Sequence, residues 1–159
     1  MTWAAPTFLD NLKVALDADA TLTALTPSVD VYTCWTGPDL AVTDCLMLFA
    51  TDSDQTNAVF GTLRQDENVT FEGELRVMRA LEYGTTTELV NKGARDRAKT
   101  IIDRLIYLTA QRPVAGTQDL RARVSNVRLD QMPATVGAVG VRMVLVNFTL
   151  TATIRTSLS

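Results

Sequence analysis

The chain has 159 residues, of which 47% are apolar and 21% charged, and its formal net charge is −3. This length and composition predict one globular domain spanning residues 1–159. The acidic balance disfavours a general nucleic-acid-binding protein, which would carry a basic face. No apolar run reaches the 18 residues of a membrane-spanning helix, and the N-terminal sequence lacks the pattern of a secretory signal.

The first third of the chain predicts a helix followed by two strands. Apolar residues recur every three or four positions over residues 6–17, and Pro6 favours the first turn of a helix. Residues 29–35 (VDVYTCW) are rich in β-branched and aromatic side chains, which is typical of a strand. Residues 44–51 contain the continuous apolar run LMLFA, which predicts a central strand covered on both faces.

The two cysteines, Cys34 and Cys45, lie in these two predicted strands. If Gly37 and Pro38 turn the chain, the strands form a hairpin in which the cysteines face each other. Two cysteines do not make a disulfide framework, so buried thiols are the favoured interpretation. A cross-strand disulfide is the alternative.

Residues 51–68 form a connection that is long for a compact domain. Its ends are polar and acidic, whereas its middle holds Val59, Phe60 and Leu63. It does not match a calcium loop, because the glycine and the closing glutamate are misplaced. We expect a projecting arm or hairpin whose apolar tip contacts a neighbouring subunit; the alternative is a hairpin folded onto its own domain.

Residues 69–81 alternate between apolar and polar side chains and predict another strand. Gly73 within it marks a bulge or a close approach of other atoms. Glu72 and Glu74 share the polar face of this strand. We interpret them as solvated surface residues rather than paired catalytic carboxylates.

The strongest helix signal covers residues 85–112, where Thr85 and Glu88 have the spacing of a capping box. One face of this helix is apolar and predicts packing on the sheet. A second stripe contains Leu89, Gly93 and Tyr107. Two arginines flank that stripe, Arg97 and Arg104. The stripe is a candidate subunit contact, because a mid-helix glycine permits close approach of another backbone; an ordinary mixed surface is the alternative.

The last part of the chain predicts two strands, residues 119–130 and 140–156, joined by a small apolar loop that contains Val136 and Val139. Such an apolar loop either packs against its own domain or contacts a partner. Arg121 and Arg123 are the expected cross-strand partners of the two glutamates described above. The final strand would be near 50 Å long if it were fully extended, so we expect it to bend or to continue into a neighbouring sheet.

The sequence contains no histidine and no motif for zinc, nucleotide phosphates or a nucleophile elbow. We therefore expect no enzyme, no catalytic residue, no metal and no cofactor. The order of the predicted elements indicates an α+β fold. Its mixed, mainly antiparallel sheet is packed by two main helices, with a long projecting loop or hairpin.

The sequence resembles the tail terminators of tailed phages, the lambda minor tail protein U-like family of siphophages. The likeness lies in the order of six segments and in the general pattern of their residues. The segments are PTFLDNLKVALDADATLTAL, VDVYTCW, DCLMLFATD, TFEGELRV, ARDRAKTIIDRLIYL and MVLVNFTLTATI. It covers essentially the whole chain, but it includes no diagnostic motif, so no site residue carries over.

The resemblance implies a structural virion protein of the tail neck, assembled in the host cytoplasm, that forms a homo-hexameric ring. The ring would cap the tail tube, end its polymerisation and meet the head–tail connector protein. Genomic DNA would pass through the lumen without specific binding, because acidic walls do not hold phosphates. No membrane partner is implied. The nearer alternative is a connector, stopper or tail completion protein of related fold; the farther one is a stand-alone binding module or small enzyme.

Overall fold

The computed structural model describes residues 4–34, 44–57, 64–81, 84–111, 121–136 and 139–157. The elements in chain order are α1 Ala5–Asp17, α2 Ala20–Thr23, β1 Val29–Tyr32, β2 Asp44–Asn57, β3 Arg64–Ala80, α3 Thr87–Ala110, β4 Arg121–Val136 and β5 Val139–Ser157. The segments 58–63 and 35–43 lie outside the described residues, so the predicted apolar tip with Val59, Phe60 and Leu63 receives no structural test.

The five strands within the described residues form one sheet in the order β1-β2-β3-β5-β4. β1 and β2 are parallel, and every other neighbouring pair is antiparallel. Helices α1 and α3 both contribute to the hydrophobic core on one face of this sheet. The expected α+β fold, with a mainly antiparallel sheet packed by two main helices, is therefore confirmed.

The parallel pairing of β1 and β2 contradicts the predicted hairpin. Val29 lies opposite Asp44, and Tyr32 lies opposite Met47, so both strands run in the same direction. Both cysteines are free thiols; Cys45 is buried, whereas Cys34 is exposed. The disulfide alternative is therefore wrong, and burial was predicted correctly for only one thiol.

β2 is covered on both faces, as its unbroken apolar run predicted. Leu46 and Leu48 belong to the core beneath the helices. Side chains alternate along a strand, so Cys45 and Met47 point to the opposite face, and they are fully buried as well. Met78 of β3 is also buried on that second face.

The long connection between the second and third predicted strands is mostly extended strand. β2 continues to Asn57, and β3 begins at Arg64 and stays paired with both β2 and β5. A register shift between Ala50 and Asp52 marks an irregularity in the β2–β3 pairing. The described part of this hairpin therefore belongs to the main sheet rather than standing apart from it.

Gly73 lies beneath an aromatic ring, as the close-approach interpretation expected. A Cβ atom at this position would be 2.1 Å from Cζ of Phe148 in the neighbouring strand. The ring fills the space that a side chain would need, so only glycine allows Phe148 to pack there. Both residues are buried in the core face of the sheet.

α3 begins two residues later than predicted and has a different cap. The side-chain oxygen of Thr86, rather than that of Thr85, accepts a hydrogen bond from the backbone N–H of Leu89 at 3.3 Å. Such a cap contributes about 1 kcal/mol. The apolar face is buried as predicted, through Ala94, Ala98, Ile101, Ile102 and Leu105.

The C-terminal strands are longer than expected, and the loop between them is shorter. β4 extends to Val136 and β5 starts at Val139, so most of the predicted loop is paired strand. β5 is paired over its length with β3 on one side and β4 on the other, which places its whole length within its own sheet. Because β5 separates β3 from β4, the predicted pairs of Glu72 and Glu74 with arginines of β4 are wrong.

Candidate assembly surfaces

The sheet ends in two different edges, and each edge is one side of the domain. We call α1, α2 and β1 together the β1 flank. We call β4, with the side of α3 that faces it, the β4 flank. These two flanks and the outer surface of α3 are the candidate surfaces for other subunits.

A buried carboxylate joins the start of β2 to β3 and α3. Asp44 is fully buried, and its two oxygens accept hydrogen bonds from Arg79 at 2.7 and 3.1 Å. Arg97 of α3 donates to the same carboxylate at 2.6 Å and also to the backbone carbonyl of Pro27. One carboxylate therefore fixes two arginines, and one of these holds α3 against the chain that leads into β1.

A second carboxylate fixes α3 to α2. Asp19 caps α2 by accepting hydrogen bonds from the backbone N–H groups of Thr21 and Leu22. Arg104 of α3 donates to the same side chain at 2.7 Å. The hydrogen bond from Arg104 is the main reason that the pKa of Asp19 lies below its ordinary value, although burial acts in the opposite direction. Asp19 is thus held as a carboxylate that links two helices of the fold.

A third buried carboxylate secures the beginning of α1. Glu67 is only 1% exposed and belongs to β3. It accepts a hydrogen bond from the backbone N–H of Ala4 at 2.7 Å and another from the hydroxyl of Ser53 at 2.7 Å. The first turn of α1 is therefore attached to the two strands of the long hairpin.

Ion pairs within the subunit engage both arginines that flank the α3 stripe predicted as a subunit contact. Arg97 is turned inward to Asp44, and Arg104 is paired with Asp19 while its guanidinium lies 4.3 Å from the ring centre of Tyr107. Leu89 and Tyr107 are exposed, and a Cβ atom at Gly93 would meet nothing within 4 Å. No contact within the described chain explains this glycine, so the interface role of the stripe stays a prediction.

Val136 and Val139, the other predicted interface residues, are direct partners at the end of the β4–β5 pairing. They are the last paired residues before the connection between these strands. The structure locates their backbones and does not describe their side chains, so their contact role also stays a prediction.

An apolar groove on the β4 flank was not predicted from the sequence. It has a volume of about 320 Å³ and lies between α3 and β4. Ile106, Val127 and Leu129 line it, and each is more than 40% exposed. The register of β4 shifts between Ser125 and Arg128, where Asn126 has a positive φ of 52°. This irregularity breaks the simple alternation of the strand, so the sequence pattern did not show which residues share a face.

One buried polar atom has no hydrogen-bond partner among the residues that the structure describes. It is Nε of Arg142 in β5. Arg142 lies directly opposite Arg79 in the β3–β5 register. Like charges in directly opposed positions destabilise a sheet, and Arg79 has its own partner in Asp44, so Arg142 is the member of the pair that costs stability.

Metal-ligand groups and the two glutamates of β3 are the remaining candidates for a chemical site. Among them, no group of three or more His, Cys, Asp or Glu side chains is arranged to hold a metal ion. Glu74 forms an ion pair with Arg76 on its own strand, and Glu72 is exposed. None of the helices described is long and apolar enough to cross a bilayer.

No family model matches the chain, and no curated relative does. Among the solved structures that match, one has 14% sequence identity and a TM-score of 0.44, over 91% of this chain and 94% of the other. A likeness this distant identifies neither a family nor a function.

Proposed function

We propose that this protein is a structural virion subunit that closes into a ring, caps the tail tube of a tailed phage and ends its polymerisation. In that role the ring joins the tail to the head connector, and genomic DNA passes through its lumen without specific binding. The subunit itself carries out no chemistry. Its function is performed by its surfaces.

The observation that carries this proposal is the presence of two unlike flanks on a single sheet. A closed ring requires head-to-tail contacts, in which one surface of each copy binds a different surface of the next. The β1 edge is a four-residue strand beside α1 and α2, whereas the β4 edge is a sixteen-residue strand beside an apolar groove. Such a pair of unlike surfaces supports the proposed ring. The assignment of that ring to a phage tail rests on the resemblance in element order.

The net charge of −3 supports the proposed passage of DNA. A wall with few free cations does not release many phosphate counterions, so DNA gains little by binding to it. The positive charges of the core-forming helix are largely used within the chain, since Arg97 and Arg104 are paired with buried carboxylates.

The proposal is tested first by electron microscopy and native mass spectrometry of the purified protein, alone and with the tail tube protein. We expect six-membered rings, free or seated at one end of the tubes. A protein that stays monomeric at high concentration with tube protein present contradicts the proposal.

Tail length separates a terminator from a connector. Phage that lack this protein should make tails of uncontrolled length, because nothing ends tube polymerisation. Tails of normal length that fail to join heads would assign the chain to the connector or stopper class instead.

A further inference from the structure

We propose that copies of this chain join with the β4 flank of one copy against the β1 flank of the next. This inference rests on the proposed ring and specifies its interface. The partner is a second copy of the same chain, and the complementarity of the two flanks is visible within one subunit.

The two flanks carry opposite charge. Residues 4–34, which form the β1 flank, contain four aspartates and one lysine. β4 contains three arginines and one aspartate. Part of this charge is used inside the subunit, where Asp17 pairs with Lys13, Asp19 with Arg104, and Arg128 with Asp130.

The remaining charges are available to a neighbour. Among the described residues, Asp10 and Asp30 on the β1 flank form no ion pair, and neither do Arg121 and Arg123 on β4. Both arginines are exposed, and Asp30 is half-buried. Within the described part of the chain, each subunit therefore presents the unpaired carboxylate of Asp30 at one edge of its sheet and two unpaired guanidinium groups at the other.

These charges lie on the same face of the sheet. Val31 and Ala122 pack with the core on the helix side. Because side chains alternate along a strand, Asp30 and Arg123 point to the face away from the helices. When two copies lie edge to edge with their sheets aligned, Asp30 of one copy and the arginines of the other are therefore on the same side of the sheet, where they can meet.

The exposed ring of Tyr32 strengthens this match. It lies two residues after Asp30 in β1 and therefore on the same face. A guanidinium group binds a carboxylate through paired hydrogen bonds and stacks on an aromatic ring. One carboxylate beside one aromatic ring is thus a suitable site for an arginine of the neighbouring β4.

Strand direction is consistent with the same arrangement. β1 is parallel to β2, and three antiparallel steps then lead through β3 and β5 to β4. β4 therefore runs opposite to β1. Rotation about a ring axis preserves the direction of strands that run along that axis, so in a ring built with its strands along the axis the β4 edge of one copy and the β1 edge of the next are antiparallel, which is a direction in which strand edges pair.

Both flanks also expose apolar side chains. The groove on the β4 flank exposes Ile106, Val127 and Leu129. On the β1 flank, α1 exposes Val14, which is 66% accessible. Burial of the apolar groove on the β4 flank would favour association beside the charged contact on the other side of the sheet.

The test uses two charge reversals in the full chain, Asp30→Lys and Arg123→Glu, with ring formation followed by sedimentation velocity. Each reversal places like charges at every interface, so each variant alone should need about tenfold more protein, or more, to assemble. Mixing the two variants should restore assembly in rings where they alternate. At one interface the introduced lysine then meets the introduced glutamate, and at the next the native Asp30 meets the native Arg123. The double variant should also assemble, because every interface regains an opposite pair.

Two control variants and one apolar variant complete the test. Lys92→Glu and Asp96→Lys reverse exposed charges of α3 that belong to neither flank, and they should leave assembly through the two flanks unchanged. Leu129→Asp should block ring formation while the thermal unfolding curve shows a folded protein.

Single variants that assemble as wild type would overturn this choice of flanks and leave the proposed ring intact. Rescue that fails on mixing, while each variant remains folded and monomeric, would also overturn it. A wild-type protein that never forms rings with tube protein present would remove the proposed function itself.

Discussion

Loss of the Asp44 carboxylate should destabilise the fold more than any other single change of a polar side chain described above. Asp44 is fully buried and accepts three charge-assisted hydrogen bonds, at 2.6, 2.7 and 3.1 Å. Removing one partner from a buried ion pair costs about 3–5 kcal/mol, because the opposite charge is left uncompensated. Water reaches part of Arg79, whose side chain is 26% exposed, so we expect the lower end of this range.

The change Asp44→Ala should therefore lower the free energy of unfolding by about 3 kcal/mol, measured by urea denaturation followed by circular dichroism. For a domain of this size the same loss corresponds to a fall in Tm of about 6–12 °C. The matched control is Asp103→Ala, which removes an exposed carboxylate paired with Lys99. That control should cost less than about 0.5 kcal/mol, as exposed helix pairs do.

A double-mutant cycle tests the reasoning directly. Asp44→Ala should cost less in an Arg97→Met background than in the wild type, because only the pairing of Asp44 with Arg79 is then lost. A loss below about 1 kcal/mol for the single change, or full additivity of the two changes, would refute the account of a shared buried charge network.

Three further predictions follow from the packing and the charges. Gly73→Ala should lower stability by about 2–3 kcal/mol, because its methyl group would overlap the ring of Phe148; chemical denaturation measures this loss. Arg104→Met should remove a pH-dependent contribution, seen in unfolding curves between about pH 2 and pH 7. The pKa of Asp19 is lowered in the folded state, so the stability supplied by Arg104 is present above about pH 4 and is lost as the pH falls through the folded pKa. Arg142→Met should raise stability by about 0.5–1 kcal/mol, because it removes an unpaired buried Nε and a repulsive cross-strand charge.

Each of these has a result that contradicts it. The effect of Gly73→Ala should shrink in a Phe148→Leu background, and an unchanged effect would exclude overlap with the Phe148 ring as its cause. A constant difference between wild type and Arg104→Met at every pH would exclude the link to Asp19 titration. A loss of stability on Arg142→Met would mean that the aliphatic stem and charge of this arginine support the fold.

The helices could be predicted from the sequence because their signals are local. The apolar periods of α1 and α3 identified their buried faces, and only the cap of α3 was misplaced by one threonine. β2 was recognised as a strand covered on both faces by its continuous apolar run. These features depend on residues within a few positions of each other.

The misinterpreted features depend on distant partners. The direction of β1 is set by pairing and by its connection, and a glycine–proline pair is compatible with more than one path. Arg97 looked like a surface residue beside the α3 stripe, but its carboxylate partner lies 53 positions away in the sequence. The β4 groove was missed because the register shift near Asn126 changes which side chains share a face.

The position of β5 has a consequence for how the chain folds. β5 follows all the other strands in the sequence, yet it lies between β3 and β4. During synthesis β3 leaves the ribosome with only its β2 edge paired and β4 leaves it with no partner strand, so the sheet closes only after β5 has emerged. The β3–β5 register joins Arg64 to Ser157, a long-range closure that slows folding and exposes strand edges to aggregation. Truncation within β5 therefore removes the shared partner of two strands at once, and a nascent chain of this protein is expected to need protection until its final strand is inserted.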